Sequence, residues 1–206
     1  AVINPSLPED HPFCDVFHGY YWTATPCSRL PRQAWYVHLG GGRVFKGMKH
    51  GSYMVWPVGA RPDPLPRSTS RFEVRESIVA DRVTGLTWTR GADLTGGRKV
   101  NWSDALAAVR TLNIAGASGF DDWRLPNVRE LESLVDPYYH SPALSKHAAF
   151  TNVQDAYWSA TTSVYEPAYA WALYTVDGTI GVGYKPGPEF FVWAVRGDGS
   201  RNRPGA

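Results

Sequence analysis

Residues 13–58 of this chain are written a second time near its C-terminus. Phe13, Val16 and Tyr21-Trp22-Thr23-Ala24-Thr25 recur as Phe150, Val153 and Tyr157-Trp158-Ser159-Ala160-Thr161. Ala34-Trp35 recurs as Ala170-Trp171, and Gly42, Gly47, Lys49 and Gly51 as Gly178, Gly183, Lys185 and Gly187. Val55-Trp56-Pro57-Val58 recurs as Val192-Trp193-Ala194-Val195. Trp22 and Trp158 stand 136 positions apart, as do Trp35 and Trp171, and the spacing slips by one at each end. A register held over that distance reads as a duplication. It is unequal, because nothing before the first copy corresponds to residues 81–149. The chain reads as one whole domain plus one half domain.

The 206 residues suffice for one large or two small domains. With 43% hydrophobic and 19% charged residues the chain is globular. Nine Trp, eleven Tyr and eight Phe among twenty Gly and sixteen Pro predict short strands and many turns. A net charge of +2 with no basic run argues against nucleic acid as a partner. No stretch approaches the roughly 18 apolar residues of a membrane span. The sequence begins at Ala1 with no signal peptide, which fits a processed exported protein or a trimmed one. The expected location is extracellular or at the cell surface, with the periplasm included.

Cys14 and Cys27 flank the Tyr20–Thr25 strand. A disulfide between them is expected, worth on the order of 2–3 kcal/mol if unstrained. Two free thiols are the alternative.

Residues 1–12 read as an extended arm, 13–58 as the half repeat, and 59–70 as a Pro-rich linker. The complete domain runs over 71–197, and 198–206 is a tail. Within the domain, Phe72–Val74 and Val83–Trp88 are strand candidates. Trp102, Leu106, Val109 and Leu112 fall on one helical face, capped by Asn101 or Ser103. Asn127 and Glu130 form a capping box for a second helix that Asp136-Pro137 stops. Strands are predicted at Tyr157–Thr162, Ala170–Val176, Thr179–Tyr184 and Phe190–Arg196, with Asp177-Gly178 as a hairpin turn.

These residues carry a resemblance. Thr84-Gly85-Leu86-x-Trp88, Trp102-x-x-Ala105-Leu106 and Asp122-Trp123-Arg124-Leu125-Pro126-Asn127-x-x-Glu130-Leu131 form its first half. Tyr157-Trp158-Ser159-Ala160-Thr161, Ala170-Trp171, Asp177-Gly178 and Val195-Arg196 complete it. The pattern, over about residues 81–196, resembles the Lcl C-terminal-type domain family, bacterial surface domains named after a collagen-like adhesin. The resemblance implies an α+β, C-type-lectin-like fold, with two helices packed on a small twisted sheet. It implies export, and the adhesin member is associated with sulfated glycans. It also gives Trp88, Trp102, Asp122, Trp123, Arg124, Trp158, Trp171, Trp193 and Arg196 structural roles. This chain departs from the family in its extra half domain.

Chemistry is sparse. Asp121-Asp122 offers clustered oxygens for calcium, but Glu166-Pro167-Ala168 falls short of a calcium-lectin motif, so no cofactor is expected beyond that calcium option. The alternative for Asp122 is pairing with a nearby Arg or capping a turn. No histidine pair has a ligand spacing, and no nucleophile or phosphate-loop motif occurs. An enzyme is not expected. Tyr165, Glu166, Tyr169, Tyr174, Asp177, Tyr184 and Lys185 form the candidate ligand surface, since rings stack on apolar faces while polar groups take hydroxyls.

The half domain lacks the helices that residues 101–135 give the other copy. Leaving Trp22, Trp35, Val37, Val44 and Trp56 in water would cost roughly 1.5–3 kcal/mol each. That face must be covered by the chain's own second domain, by a neighbouring copy, or by a bound segment. The expected function is an exported, non-enzymatic surface module that binds a glycan or a surface protein, with the half domain in assembly. The alternative is a structural subunit of an extracellular fibre or pilus-like assembly.

Overall fold

The computed structural model describes residues 6–8, 10–59, 70–145 and 150–197. The expected linker core (60–69) and tail (198–206) lie outside them. The strands form three antiparallel sheets, and the second takes in the last strand of the described chain. The first is β1 (Tyr20–Pro26), β2 (Gln33–His38) and β3 (Arg43–Met48), in that order. The second orders β10 (Val195–Arg196), β6 (Thr87–Thr89), β5 (Ile78–Asp81) and β4 (Phe72–Arg75). The third is β7 (Ala156–Thr162), β8 (Tyr169–Tyr174) and β9 (Thr179–Tyr184). Two helices, α1 (Trp102–Ile114) and α2 (Val128–Ser133), lie between the second sheet and the third in sequence.

The expected α+β, C-type-lectin-like architecture does not describe this chain. Strands dominate, and they form three small sheets instead of one platform. Helix α2 has six residues, under two turns, and cannot form a layer. Pro126 stands just before it, and Asp136-Pro137 closes off its continuation. The predicted Phe190–Arg196 strand shrinks to β10, with Phe190 and Phe191 making single bridges to Val100 and Tyr157. Val83–Trp88 splits at a turn around Gly85, whose φ of 75° suits glycine.

Local chemistry sets the helix starts. The Asn101 side chain accepts from the Asp104 N–H at 2.9 Å. Asn127 accepts from the Glu130 N–H at 2.9 Å, while Glu130 accepts from the Asn127 N–H at 2.8 Å, a complete capping box. Ala105 and Val109 of α1 are buried against Trp158, Ala170, Ala172 and Phe190, a core that α1 closes over the third sheet. On the other side of that sheet, Tyr157 and Leu173 join Trp88, Leu131, Leu134 and Trp193.

The first and third sheets are hydrogen-bonded alike. Thr23 Oγ1 donates to the Trp35 carbonyl at 2.9 Å, and Ser159 Oγ to that of Trp171 at 2.7 Å. The Cys27 N–H donates to Gln33 at 3.0 Å, and that of Ser163 to Tyr169 at 2.9 Å. The Lys49 N–H reaches Arg32 at 3.0 Å, and that of Lys185 reaches Ala168 at 2.9 Å. An added Cβ on Gly47 would meet the Tyr53 ring, and on Gly183 the Phe190 ring, so in both sheets a glycine makes room for an aromatic lid. Phe13 packs edge-on to Trp56 at 4.7 Å, and Phe150 to Trp193 at 4.6 Å.

The expected disulfide is not formed. Cys14 is exposed, Cys27 is buried, and both are free. Cys14 lies six residues before β1, on the surface, and Cys27 directly follows β1, under cover.

Candidate functional site

The first sheet has two faces, and they meet different neighbours. One carries Trp35, Val37, Val44 and Lys46, paired across β2 and β3 as Trp35↔Lys46 and Val37↔Val44. This face turns toward the rest of the chain. Trp35 is only 7% exposed. Lys46 Nζ donates to Asp177 Oδ2 at 2.6 Å, with side-chain exposures of 7% and 19%, and Arg29 approaches the same oxygen at 3.8 Å. Lys46 also lies 5.2 Å above the Trp35 ring, and Arg43 lies 5.6 Å from the Trp171 ring. Ser28 Oγ donates to the Tyr139 carbonyl at 3.0 Å. Val44 and Ile180 share the lining of a crevice of about 150 Å³ beside α2.

The charges explain why an aspartate from the third sheet makes this contact. Residues 16–59 contain five Lys and Arg and no Asp or Glu. Lys46 can be neutralised on burial only by an acid from outside its own sheet. Asp177 divides its two oxygens: Oδ1 accepts from the Thr179 N–H and hydroxyl, fixing the hairpin turn, and Oδ2 faces Lys46. Burial pushes the Asp177 carboxyl up, but the Lys46 ammonium and the Thr179 bonds together hold it below the ordinary carboxylate range.

The opposite face of the first sheet carries Tyr20, Trp22, Tyr36, His38 and Phe45, with Tyr53 laid against Gly47. The rings touch. Trp22 and Tyr53 have centroids 4.3 Å apart, Tyr20 and Tyr53 5.4 Å, and Tyr36 stands edge-on to Tyr20 at 5.2 Å and to Tyr53 at 5.1 Å. In the third sheet the equivalent positions are Ala156 and Ala172, over which α1 lies, and Gly181, against which Tyr174 packs. The first sheet has no helix there. It holds Tyr20, Tyr36 and Phe45 instead, and Tyr20 and Phe45 remain 46% and 47% exposed. Burial raises the Tyr36 phenol, and the neighbouring phenols of Tyr53 and Tyr20 raise it further, so the three hydroxyls lie within electrostatic reach of one another. These rings border a cleft of about 490 Å³, closed on its far side by Tyr165 and Ile180.

Of the expected ligand residues, Tyr165 lines this cleft. Asp177 is committed to Lys46. Lys185 donates to Thr162 Oγ1 at 2.8 Å and lies 4.4 Å from the Trp102 ring. Tyr174 packs on Phe190, Tyr169 pairs with Tyr184 at 5.4 Å, and Glu166 lies exposed in the β7–β8 loop. They do not converge on one site. Of the assembly residues, Trp35, Val37 and Val44 share the seam-side face. Trp22 is on the ring face, and Trp56 packs against Phe13 and Tyr21.

The remaining expected residues sit in the frame. Trp88, Trp158 and Trp193 are fully buried and Trp123 nearly so. Trp102 donates to the Ser159 carbonyl at 2.9 Å. Arg124 forks onto both Glu130 oxygens and reaches the Gly197 carbonyl at 2.6 Å. Asp122 accepts from Arg196 at 2.7 Å, which holds its carboxyl low. Among the described residues no three His, Cys, Asp or Glu side chains gather into a metal site. Among them, too, no helix is long and apolar enough to cross a membrane.

Residues 77–196 match the family described as the Lcl C-terminal domain. The match takes in β5 to β10 with both helices, and leaves the first sheet and β4 outside. No curated protein matches the chain.

Proposed function

We propose, because this chain belongs to the Lcl C-terminal domain family, that it is an exported, non-enzymatic bacterial surface module that binds a glycan or a surface protein. The first sheet, on this reading a half copy of the second domain, docks on its own chain. It builds the binding cleft at the seam. The observation that carries the proposal is the cleft of about 490 Å³ walled by half-exposed rings of the first sheet and by Tyr165 of the second domain. Large apolar rings left accessible around a concavity mark a recognition surface. The face that a fibre contact would use, Trp35 with Val37 and Val44, is turned to the chain's own Asp177 and Ile180. That favours a discrete binding module over a fibre subunit.

The test is retention of the purified protein on arrays of glycans and of surface proteins, with and without a calcium chelator, alongside sedimentation and electron microscopy. Retention by particles of a single size supports the proposal. Filaments that retain nothing would replace it with the structural-subunit reading.

A further inference from the structure

The ring face of the first sheet lies outside the residues that match the family. Its chemistry is more specific than exposure alone. Tyr20, Trp22, Tyr36 and Tyr53 present three phenol hydroxyls and an indole N–H. None of these four groups has a hydrogen-bond partner among the described residues, whereas the indoles of Trp102, Trp123, Trp158 and Trp193 are bonded. The indoles of Trp35 and Trp88 also lack a partner, but they are buried. The ring face differs in being accessible, with Tyr20 46% exposed, so its polar tips are within a ligand's reach. The cations nearest the seam are engaged: Lys46 and Arg29 with Asp177, Arg43 with Trp171. The face is therefore aromatic, carries no acid, has its one bordering cation, Arg43, drawn over the Trp171 ring, and is edged by unengaged donors and acceptors.

We propose that this face is a carbohydrate-stacking platform for uncharged pyranose units, deepening the binding reading above and resting on it. A pyranose has an apolar face of axial C–H groups and a rim of equatorial hydroxyls. The C–H face covers the rings while the hydroxyls take the phenols and the Trp22 N–H. Two other occupants fit less well. A helix like α1 needs the small residues that Ala156 and Ala172 supply, and Tyr20 and Tyr36 fill that space. A proline-rich strand docks in an aromatic-lined groove, and no groove parts Trp22, Tyr53 and Tyr20, whose centroids lie 4.3 and 5.4 Å apart.

The experiment is affinity electrophoresis of the whole protein through gels holding uncharged β-linked polysaccharides, sulfated polysaccharides, or a proline-rich peptide. Each is run at low and high salt. Retardation by an uncharged polysaccharide, unchanged by salt, is expected. Tyr20→Ala and Tyr36→Ala should each weaken it about tenfold, the loss that follows truncation of a central interface ring. Tyr36→Phe, which keeps the ring and the fold, should weaken it less than Tyr36→Ala. The proposal is overturned if no uncharged polysaccharide retards the protein. It is equally overturned if retardation occurs only with sulfated chains and disappears with salt, only with the peptide, or persists in the Tyr20 and Tyr36 variants. If the protein still binds in the arrays after any of these results, the surface-module reading stands and only the ligand class falls.

Discussion

Replacing Asp177 by Asn isolates the contact that holds the first sheet in place. The substitution keeps the shape of the side chain. Its amide oxygen can still accept both Thr179 bonds, so the hairpin turn survives. Its amide nitrogen then faces Lys46, a donor against a donor. Removing one partner from a buried pair costs about 3–5 kcal/mol. Asp177 keeps 19% side-chain exposure, and Lys46 retains the Trp35 ring at 5.2 Å, so the expected cost is lower, about 2–3 kcal/mol. With a urea slope of about 2–3 kcal/mol per molar for a chain of this size, the unfolding midpoint should fall by about 1 M. Tryptic cleavage at the exposed Arg32 should accelerate in parallel. Lys46→Met in the same background removes the stranded charge and should recover most of the loss.

The pH dependence adds a second check. The folded Asp177 carboxyl lies below its ordinary value of 3.8. Its contribution is fully present above that value and is lost as pH falls through the lower folded value. The gap between the wild type and Asp177→Asn should therefore be complete at neutral pH and close in acid. An unchanged midpoint at neutral pH, or a gap that does not close in acid, would refute the argument that this pair docks the sheet.

Three further outcomes are expected. Gly183→Ala should destabilise by about 1–3 kcal/mol in urea unfolding, because its Cβ would meet Phe190 and the Trp158 ring; Gly91→Ala, with open space around it, should cost far less. A thiol reagent should label Cys14 at once and Cys27 only after denaturant, and intact mass should not change on reduction, since both thiols are free. Asp81→Asn should cost about 3 kcal/mol in the same unfolding assay. Asp81 is fully buried, takes a fork from Arg71 at 2.9 and 2.6 Å, and through it ties β5 to the Ser133 carbonyl at the end of α2.

What was legible in the sequence was local or repeated. Asn127 and Glu130 announce their capping box because both partners lie within four residues. Asp177-Gly178 announces its turn because φ of 74° at Gly178 demands glycine. The recurring residues set β1 to β3 in the same register as β7 to β9, and the two sheets are hydrogen-bonded alike. The docking was not legible, since Lys46 and Asp177 are 131 residues apart and neither carries a local signature. The disulfide expectation failed for a related reason. Closeness in sequence does not by itself bring two cysteines together, and here Cys14 stays on the surface while Cys27, just after β1, is buried. The lectin-type architecture failed because helix existence is readable from caps and periodicity, whereas the way small sheets join depends on bridges such as Arg124↔Val195 that no pattern marks.

The ring face follows from where the first and third sheets differ. A sheet without helices needs another cover, and the molecule supplies two different ones. On the Trp35 side, the second domain closes the face and provides the one anion that the acid-free sheet lacks. On the other side, Ala156, Ala172 and Gly181 give way to Tyr20, Tyr36 and Phe45 at the same register. Rings shelter the sheet backbone and one another, but unlike a helix they leave their outer edges wet. The same exchange that lets the first sheet stand without α1 therefore leaves a lattice of rings and hydroxyls open beside the seam. If that lattice is kept for binding, replacing Tyr20 and Tyr36 by Leu should leave the stability of the fold about unchanged, because the phenol hydroxyls have no partners within the described residues to lose, while ligand retention falls. If the rings serve only as cover, the same variants should unfold more easily and retention should not change.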